Sequence, residues 1–341
     1  MQSSTPVTGR ACRQVRACAH NHYGHMPPYS VVVPTAAENP ARRETMMASN
    51  ILITGASGKT GGYAAKVLLE QGHHVRALVR RTDERSDRLA TVGAEIVVAD
   101  LLDLNAVSKA ARGIDAAYLT YPIAPGLIEA SAILLQAAEE NNVSTIVNMS
   151  QISARRDAVS DAARQHWIAE RLLDHFSGGV THIRPTFFAE WLVNFFDVAT
   201  GELRLPFADA RHAPIAAEDQ GRVIAALLAD PRQHAGKIYP LYGPVEMNHH
   251  QIAEAMTRAL GRTVSYVPIS LDEFRADLEK RGLDPHFIQH LIAVAVDYRN
   301  GIFAGADNTV EHLTGRAPLT VEAFTERNKH YLDGTADWNN R

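Results

Sequence analysis

The sequence predicts an α/β protein, a doubly wound parallel sheet with a smaller C-terminal part. Three observations predict it: a globular composition, short apolar segments alternating with amphipathic helical ones from Asn50 onward, and a glycine-rich turn between the first strand and the first helix. The 341 residues are 46% hydrophobic and 21% charged, with 22 Gly and 16 Pro. That balance excludes collagen-like, coiled-coil and wholly disordered chains. No apolar run approaches the ~20 residues that cross a bilayer, so no membrane partner is expected.

Residues 1–49 stand apart. They hold five Arg against two Glu, with no acidic side chain before Glu38 and no helical or strand periodicity. Arg10, Arg13 and Arg16 suggest a transit peptide, whereas the longest apolar run, Val31 to Val33, is too short for a secretory signal. Cys12, Cys18, His20, His22 and His25 lack the spacing of a zinc site. We expect a disordered leader or a mis-assigned start, with Met46 and Met47 just ahead of the fold. The rest of the chain then has 29 basic and 36 acidic side chains, net −7, which argues against nucleic acid as a partner. Both cysteines lie in the leader, so the body has neither a disulfide nor a cysteine nucleophile, and a reducing, cytoplasmic location is expected.

From Asn50, residues 51–54 read as an apolar strand, followed by Gly55-Ala56-Ser57-Gly58-Lys59-Thr60-Gly61-Gly62. Tyr63, Val67 and Leu68 then recur at helical spacing and Gly72 stops the helix. Residues 74–79 form the second strand. This order is the context of a dinucleotide-binding fingerprint. With glycines at 55, 58 and 61, Gly55 permits the tight turn, Gly58 lets backbone amides approach a diphosphate, and Gly61 lets helix and strand pack closely; the helix N-terminus adds partial positive charge. A P-loop needs a glycine five residues before Gly58, and Ile53 is there. Where an NAD site places a carboxylate at the second strand's end, this chain has Arg80 and Arg81. Guanidinium groups suit a 2′-phosphate, so NADP(H) is expected over NAD(H); Asp83 and Glu84 are the acidic residues that would argue the other way.

The alternation continues: strand 94–99 ending at Asp100, helix 104–111, strand 114–120, helix 126–141, strand 143–149, helix 163–176, strand 180–183. Six strands separated by helices imply the parallel sheet. Ligands of such sheets lie beyond the strands' carboxyl ends, here Asp100-Leu101, Thr120-Tyr121-Pro122, Ser150-Gln151 and Arg184-Pro185-Thr186.

Thr54-Gly55-x-x-Gly58-x-x-Gly61, Val75-x-Ala77-Leu78-Val79-Arg80 and Ala99-Asp100-Leu101 together resemble the NmrA-like, atypical short-chain dehydrogenase/reductase family. So do Gly236-Lys237-Ile238-Tyr239 with Tyr242-Gly243-Pro244, the segment from Gln251 to Arg262, and Thr314-Gly315-Arg316-Ala317-Pro318. The resemblance spans residues 50 to about 330 and extends to quinone reductase and azoreductase-type members. It implies a Rossmann core over 50–185, with 207–243 returning to the sheet, and a substrate-binding part from 186–206 and 244–330, where helical stretches 271–280 and 285–296 line the cleft. By position, Gly55, Ser57, Gly58, Lys59, Thr60 and Gly61 would hold the diphosphate. Arg80 would hold the 2′-phosphate, Asp100 and Leu101 the adenine, and Thr120, Tyr121 and Pro122 the central ribose. Pro185 would border the nicotinamide.

Ordinary members of the wider superfamily use Ser with Tyr-x-x-x-Lys. Ser150 ends the fifth strand as that pattern asks, yet His166 and Glu170 stand where Tyr and Lys would be. Four residues apart on a helix, the two share a face, and a carboxylate beside an imidazole raises its pKa toward that of a general acid. The alternatives are a surface pair for His166 and Glu170 and a helix cap for Ser150. Phe187, Phe188 and Trp191, with Phe195 and Phe196, either wall a flat apolar substrate pocket or form core. His249 and His250 are expected to be exposed at a helix start, and no metal site is expected in the body.

Two functions follow. The first is an NADP(H)-dependent oxidoreductase passing hydride to a small conjugated or aromatic acceptor (quinone, azo compound or activated carbonyl), acting as a monomer or homodimer on a small-molecule substrate. The second is a catalytically weak NADP(H)-sensing regulator. An open apolar cleft with His166 facing it favours the first; a plugged cleft favours the second.

Overall fold

A computed structural model describes residues 48–338. Residues 1–47 of the leader, with Cys12, Cys18 and its histidines, lie outside the described residues. From Asn50 the chain runs β1 (Asn50–Thr54), α1 (Lys59–Glu70), β2 (His74–Val79), α2 (Glu84–Thr91), β3 (Glu95–Val98), α3 (Leu104–Ala111), β4 (Ala116–Leu119), α4 (Leu127–Glu140), β5 (Thr145–Met149), α5 (Asp161–Leu173) and β6 (Gly179–Pro185). After the excursion α6 (Glu190–Phe195), β7 (Phe196–Asp197) and β8 (Glu202–Leu205), α7 (Ala217–Ala229) and β9 (Lys237–Leu241) return to the sheet. The seven strands pair in parallel in the order β3-β2-β1-β4-β5-β6-β9. The order reverses between β1 and β4, and a crevice opens at that switch point.

Strands buried on both faces read as continuous apolar runs, and β1, β4 and β5 are buried almost throughout. One face packs α1 and α7 around Leu68, Val223 and Leu227; the other packs α3 and α4 around Val107 and Leu134. Helix α1 is held very close to α7: a Cβ at Gly221 would lie 2.4 Å from Tyr63 Cβ and 2.9 Å from the Ala64 amide nitrogen.

The second part has a core of its own, built on Leu192, Leu203, Ile252, Met256 and Leu278. It comprises α6, β7, β8, α8 (His249–Leu260), β10 (Ser265–Pro268), α9 (Leu271–Lys280), α10 (Pro285–Arg299), α12 (Val321–Arg327) and α13 (Lys329–Leu332), which follow or precede α11 (Thr309–Thr314). The pattern did not reveal its three-stranded sheet, β10-β8-β7, because strands of two to four residues carry too few alternations. Helix α11 departs from the expected boundary: Val310 and Leu313 pack with α7 in the core beside the main sheet. Glu190 ties the parts together, its carboxylate accepting the Ala217 N–H at the start of α7, at 3.1 and 3.2 Å.

Because no Cβ fits between α1 and α7, Gly221→Ala is expected to lower stability by about 2 kcal/mol, the scale of overpacking a dense core. Urea denaturation monitored by circular dichroism checks this, with Ala225→Gly as a comparison on the same helix.

Candidate active site

The turn after β1 is built for an anion. Gly55 has φ +58°, and a Cβ there would strike Thr120 Cγ2 at 2.5 Å. A Cβ on Gly61 would lie 2.6 Å from the Gly55 carbonyl oxygen, and one on Gly58 3.0 Å from the same atom. Thr54 Oγ1 accepts the Thr120 amide at 2.9 Å, locking the ends of β1 and β4 together. Gly58 caps α1 without a side-chain hydrogen bond, and the first turn of α1 has no acidic residue. The start of α1 therefore carries neither a side-chain cap nor an acidic residue of its own first turn, as suits a diphosphate site.

At the other end of the crest, Arg80 is exposed beyond β2 and Asp100 is exposed beyond β3. Both act on Tyr121: burial raises its phenol pKa, the Asp100 and Glu129 carboxylates add to that, and the Arg80 guanidinium opposes it. Asp83 is engaged elsewhere, accepting the Arg85 and Ser86 amides as the cap of α2. Arg80 and Arg81 are both exposed at the end of β2, where the 2′-phosphate contact is expected from the sequence.

Beside the turn opens a cavity of about 350 Å³. Lys59, Thr120, Tyr121, Pro122 and Pro185 contribute to its wall, together with Ser150 and His166 and the aromatic residues Phe187, Phe188 and Trp191. Expected cofactor, polar and substrate residues therefore share one space, while Arg80, Asp100, Leu101 and the glycines lie along the crest leading to it. Trp191 stacks on Phe195 (5.4 Å, 25°), and Phe195 contacts Phe274. Both expectations for the aromatics meet here, because Phe187 and Phe195 line the cavity and also belong to the second part's core. Phe196 is core only.

The paired roles of His166 and Glu170 are corrected. Glu170 is fully buried and its carboxylate takes a two-pronged bond from Arg184 of β6 (Nε 2.8 Å, Nη2 2.5 Å). It anchors α5 to the sheet and lies outside the cavity wall. His166, 4% exposed, is pushed down to about 3 by burial, with His290 and Arg184 adding to the effect. It is a neutral imidazole: burial reverses the expected rise in pKa, and the Glu170 carboxylate, bonded to Arg184, does not offset it. Ser150 Oγ is buried without a hydrogen-bond partner among the described residues, as is His166 Nδ1. The cap of α5 is Ser160, so Ser150 does not serve as one.

Two further histidines surprise. His250 is exposed as expected, but His249 is fully buried against His212, with ring centroids 4.9 Å apart, inside a cage of Phe187, Phe207, Tyr266 and Tyr298. Burial pushes His249 down to about 3 and His212 well below its ordinary value. The stretch 285–296 lines the cavity as expected, but His290 within it was not singled out, and Tyr298 and Phe303, which complete the cavity, were missed. The available signal was the buried stripe Ile288, Leu291 and Val294 on α10, with His290 as its polar member.

Comparison with known proteins identifies the family and the fold. The profile of the NmrA-like family matches residues 47–307. An NAD(P)H azoreductase from Xenophilus azovorans is 27% identical over 284 residues, covering 81% of this chain and 96% of its own. Among solved structures, an NADPH-dependent quinone oxidoreductase from Escherichia coli, complexed with NADPH, has a TM-score of 0.72 at 23% identity, over 81% of this chain and 99% of its own. NmrA, a negative transcriptional regulator in complex with NAD, has a TM-score of 0.73 at 17% identity, over 86% and 99%. These structural likenesses show a shared fold.

The buried histidines set an acid limit. His166 and His249 (about 3), His290 (about 4) and His212 all sit below 6.5 when folded. The unfolded chain therefore binds more protons in that window. Their contribution is complete above about pH 6.5 and is lost as pH falls toward about 3. Thermal melts between pH 7.5 and 4.5 are expected to show falling Tm, with a shallower fall in the His212→Phe/His249→Phe double variant.

Proposed function

The chain belongs to the NmrA-like family, and we propose that within it the protein is an NADP(H)-dependent reductase of small conjugated or aromatic acceptors such as quinones, azo compounds or activated carbonyls. The observation that carries this reading is the open, aromatic-walled cavity that meets the glycine turn on one side and Ser150 and His166 on the other. When bound, the reduced nicotinamide supplies the hydride.

The chain's own residues bind, orient and exclude water. The turn residues Gly55, Ser57, Gly58, Lys59, Thr60 and Gly61 hold the diphosphate, the Gly58 amide bracing the turn through the Gly55 carbonyl at 2.8 Å, and Arg80 takes the 2′-phosphate as a charge-assisted pair. Asp100 and Leu101 flank the adenine; Thr120, Tyr121 and Pro122 hold the central ribose; Pro185 borders the nicotinamide. Phe187, Phe188 and Trp191 take the flat acceptor, and the Ser150 hydroxyl donates to its polar atom. With His166 neutral, that imidazole is not a ready acid, and in this reading the proton that completes reduction comes from water. That favours acceptors whose reduced anion is stable long enough to be protonated there, quinones above unactivated ketones.

The likeness to a nicotinamide-binding regulator and the absence of Tyr and Lys at positions 166 and 170 favour a second reading, an NADP(H)-sensing protein with little turnover. Oxidation of NADPH by purified protein against quinones, azo dyes and ketones separates the two. The reductase reading expects menadione-type quinones to turn over at least about 100-fold faster than ketones, a gap equal to about 2.7 kcal/mol in barrier. Cofactor binding with no turnover across the panel would leave the sensor. For the cofactor itself, Arg80→Asp is expected to weaken NADPH binding at least about 10-fold through loss of a charge-assisted pair, sparing NADH. Equal loss for both, read by calorimetry, removes the 2′-phosphate role.

A further inference from the structure

His290 comes to the cavity from α10, on the second part of the molecule, and is 8% exposed. Its Nδ1 lies 2.8 Å from Ser160 Oγ. That oxygen accepts the Ala163 amide at 3.1 Å as the cap of α5, and its own proton is free to be donated to Nδ1. In that arrangement Nδ1 accepts and the imidazole proton sits on Nε2.

The ring is also held firmly. Arg155 of the β5–α5 loop makes a two-pronged bond to Asp297 of α10 at 2.7 and 2.9 Å. Gln289, the neighbouring residue, accepts the Asp161 amide and donates to the Val159 carbonyl, at 3.0 and 2.9 Å. Phe287 stacks beside His290 at 6.5 Å and 18°. A ring held in position, lining a largely apolar cavity, loses little freedom when a ligand meets it.

Resting on the reductase reading above, we propose that His290 is a substrate-anchoring residue whose Nε2–H donates a hydrogen bond to the acceptor heteroatom of the compound to be reduced. The heteroatom is a quinone or activated carbonyl oxygen, or an azo nitrogen, while the aromatic walls take the ring system. The selected class is therefore flat, uncharged and conjugated, with a hydrogen-bond acceptor on its rim. Burial keeps the imidazole neutral, pushed down to about 4, so the anchor discriminates by hydrogen bonding and not by charge.

The test is equilibrium dialysis of full-length protein saturated with NADP⁺ against 1,4-naphthoquinone and against naphthalene, which has the same rings and no acceptor atom. His290→Phe is expected to bind naphthoquinone about 5- to 10-fold more weakly, the worth of one hydrogen bond, with naphthalene changed less than about 2-fold. His290→Gln, whose amide nitrogen stands near the position of Nε2, is expected to recover naphthoquinone binding. His290→Leu serves the same comparison should the phenylalanine variant fail to fold. Equal weakening of both ligands makes the histidine a packing residue and overturns the proposal, as does unchanged naphthoquinone binding. Wild-type protein that binds NADP⁺ but no naphthoquinone overturns the acceptor reading itself, and the anchor with it.

Discussion

The approach of two backbones where β1 turns into α1 governs everything at the crest. Gly61 comes so near the Gly55 carbonyl that a methyl group has no room, and Gly55 presses equally on Thr120 from the neighbouring strand. On its far side α1 meets Gly221 of α7 at the same forbidding distance. The helix is therefore fixed between sheet and helix by contacts only hydrogen can make. That fixes where its uncapped amides stand, and so where an anion can be held. The cavity begins at Lys59, the first residue of the same helix, so its place relative to any bound dinucleotide follows from the same glycines.

This constraint was legible in the sequence because it is local. A strand, three glycines at fixed offsets and an amphipathic helix specify the turn whatever lies elsewhere, and the strand ends carrying Asp100, Thr120 and Ser150 follow from the alternation. What failed was partner assignment across the chain. Glu170 and His166 are neighbours in helical spacing, but Arg184 on β6 takes the carboxylate, and no spacing rule sees across fourteen residues and a turn. His249 looked exposed because it begins a helix beside Asn248, its cap. Its burial depends on His212 and Phe207, from a loop whose path no local pattern dictates. His290 was hidden for the same reason: its role depends on Ser160, 130 residues away.

Those nonlocal pairings decide the chemistry of the cavity. An imidazole beside a free carboxylate is a proton donor near neutrality; the same ring, buried with that carboxylate already bonded to arginine, is a neutral hydrogen-bonding group. Burying Glu170 with Arg184 removes the only anion that the helix could offer His166, and removing either partner would leave a charge stranded in the core. In the reductase reading the imidazole then offers its ligand a neutral contact, proton delivery falls to solvent, and the acceptors that tolerate this are those whose negative charge is spread over a conjugated system.

Enzyme and sensor share the dinucleotide cradle, so the cradle cannot distinguish them. What distinguishes them is the use of the space beside it. A sensor of the cofactor alone needs a second arrangement whose contacts with the oxidised and reduced forms differ. A cavity of about 350 Å³ walled by Phe187, Phe188 and Trp191 is within the range of sites that enclose a separate small molecule, and filling it relieves the exposed apolar walls that a cofactor-only protein would have no reason to maintain. The same helix that closes this space, α10, is bound to the β5–α5 loop through Arg155 and Asp297. In the reductase reading that ion pair holds α10, and with it the wall formed by His290, Leu291 and Val294, in place against the β5–α5 loop.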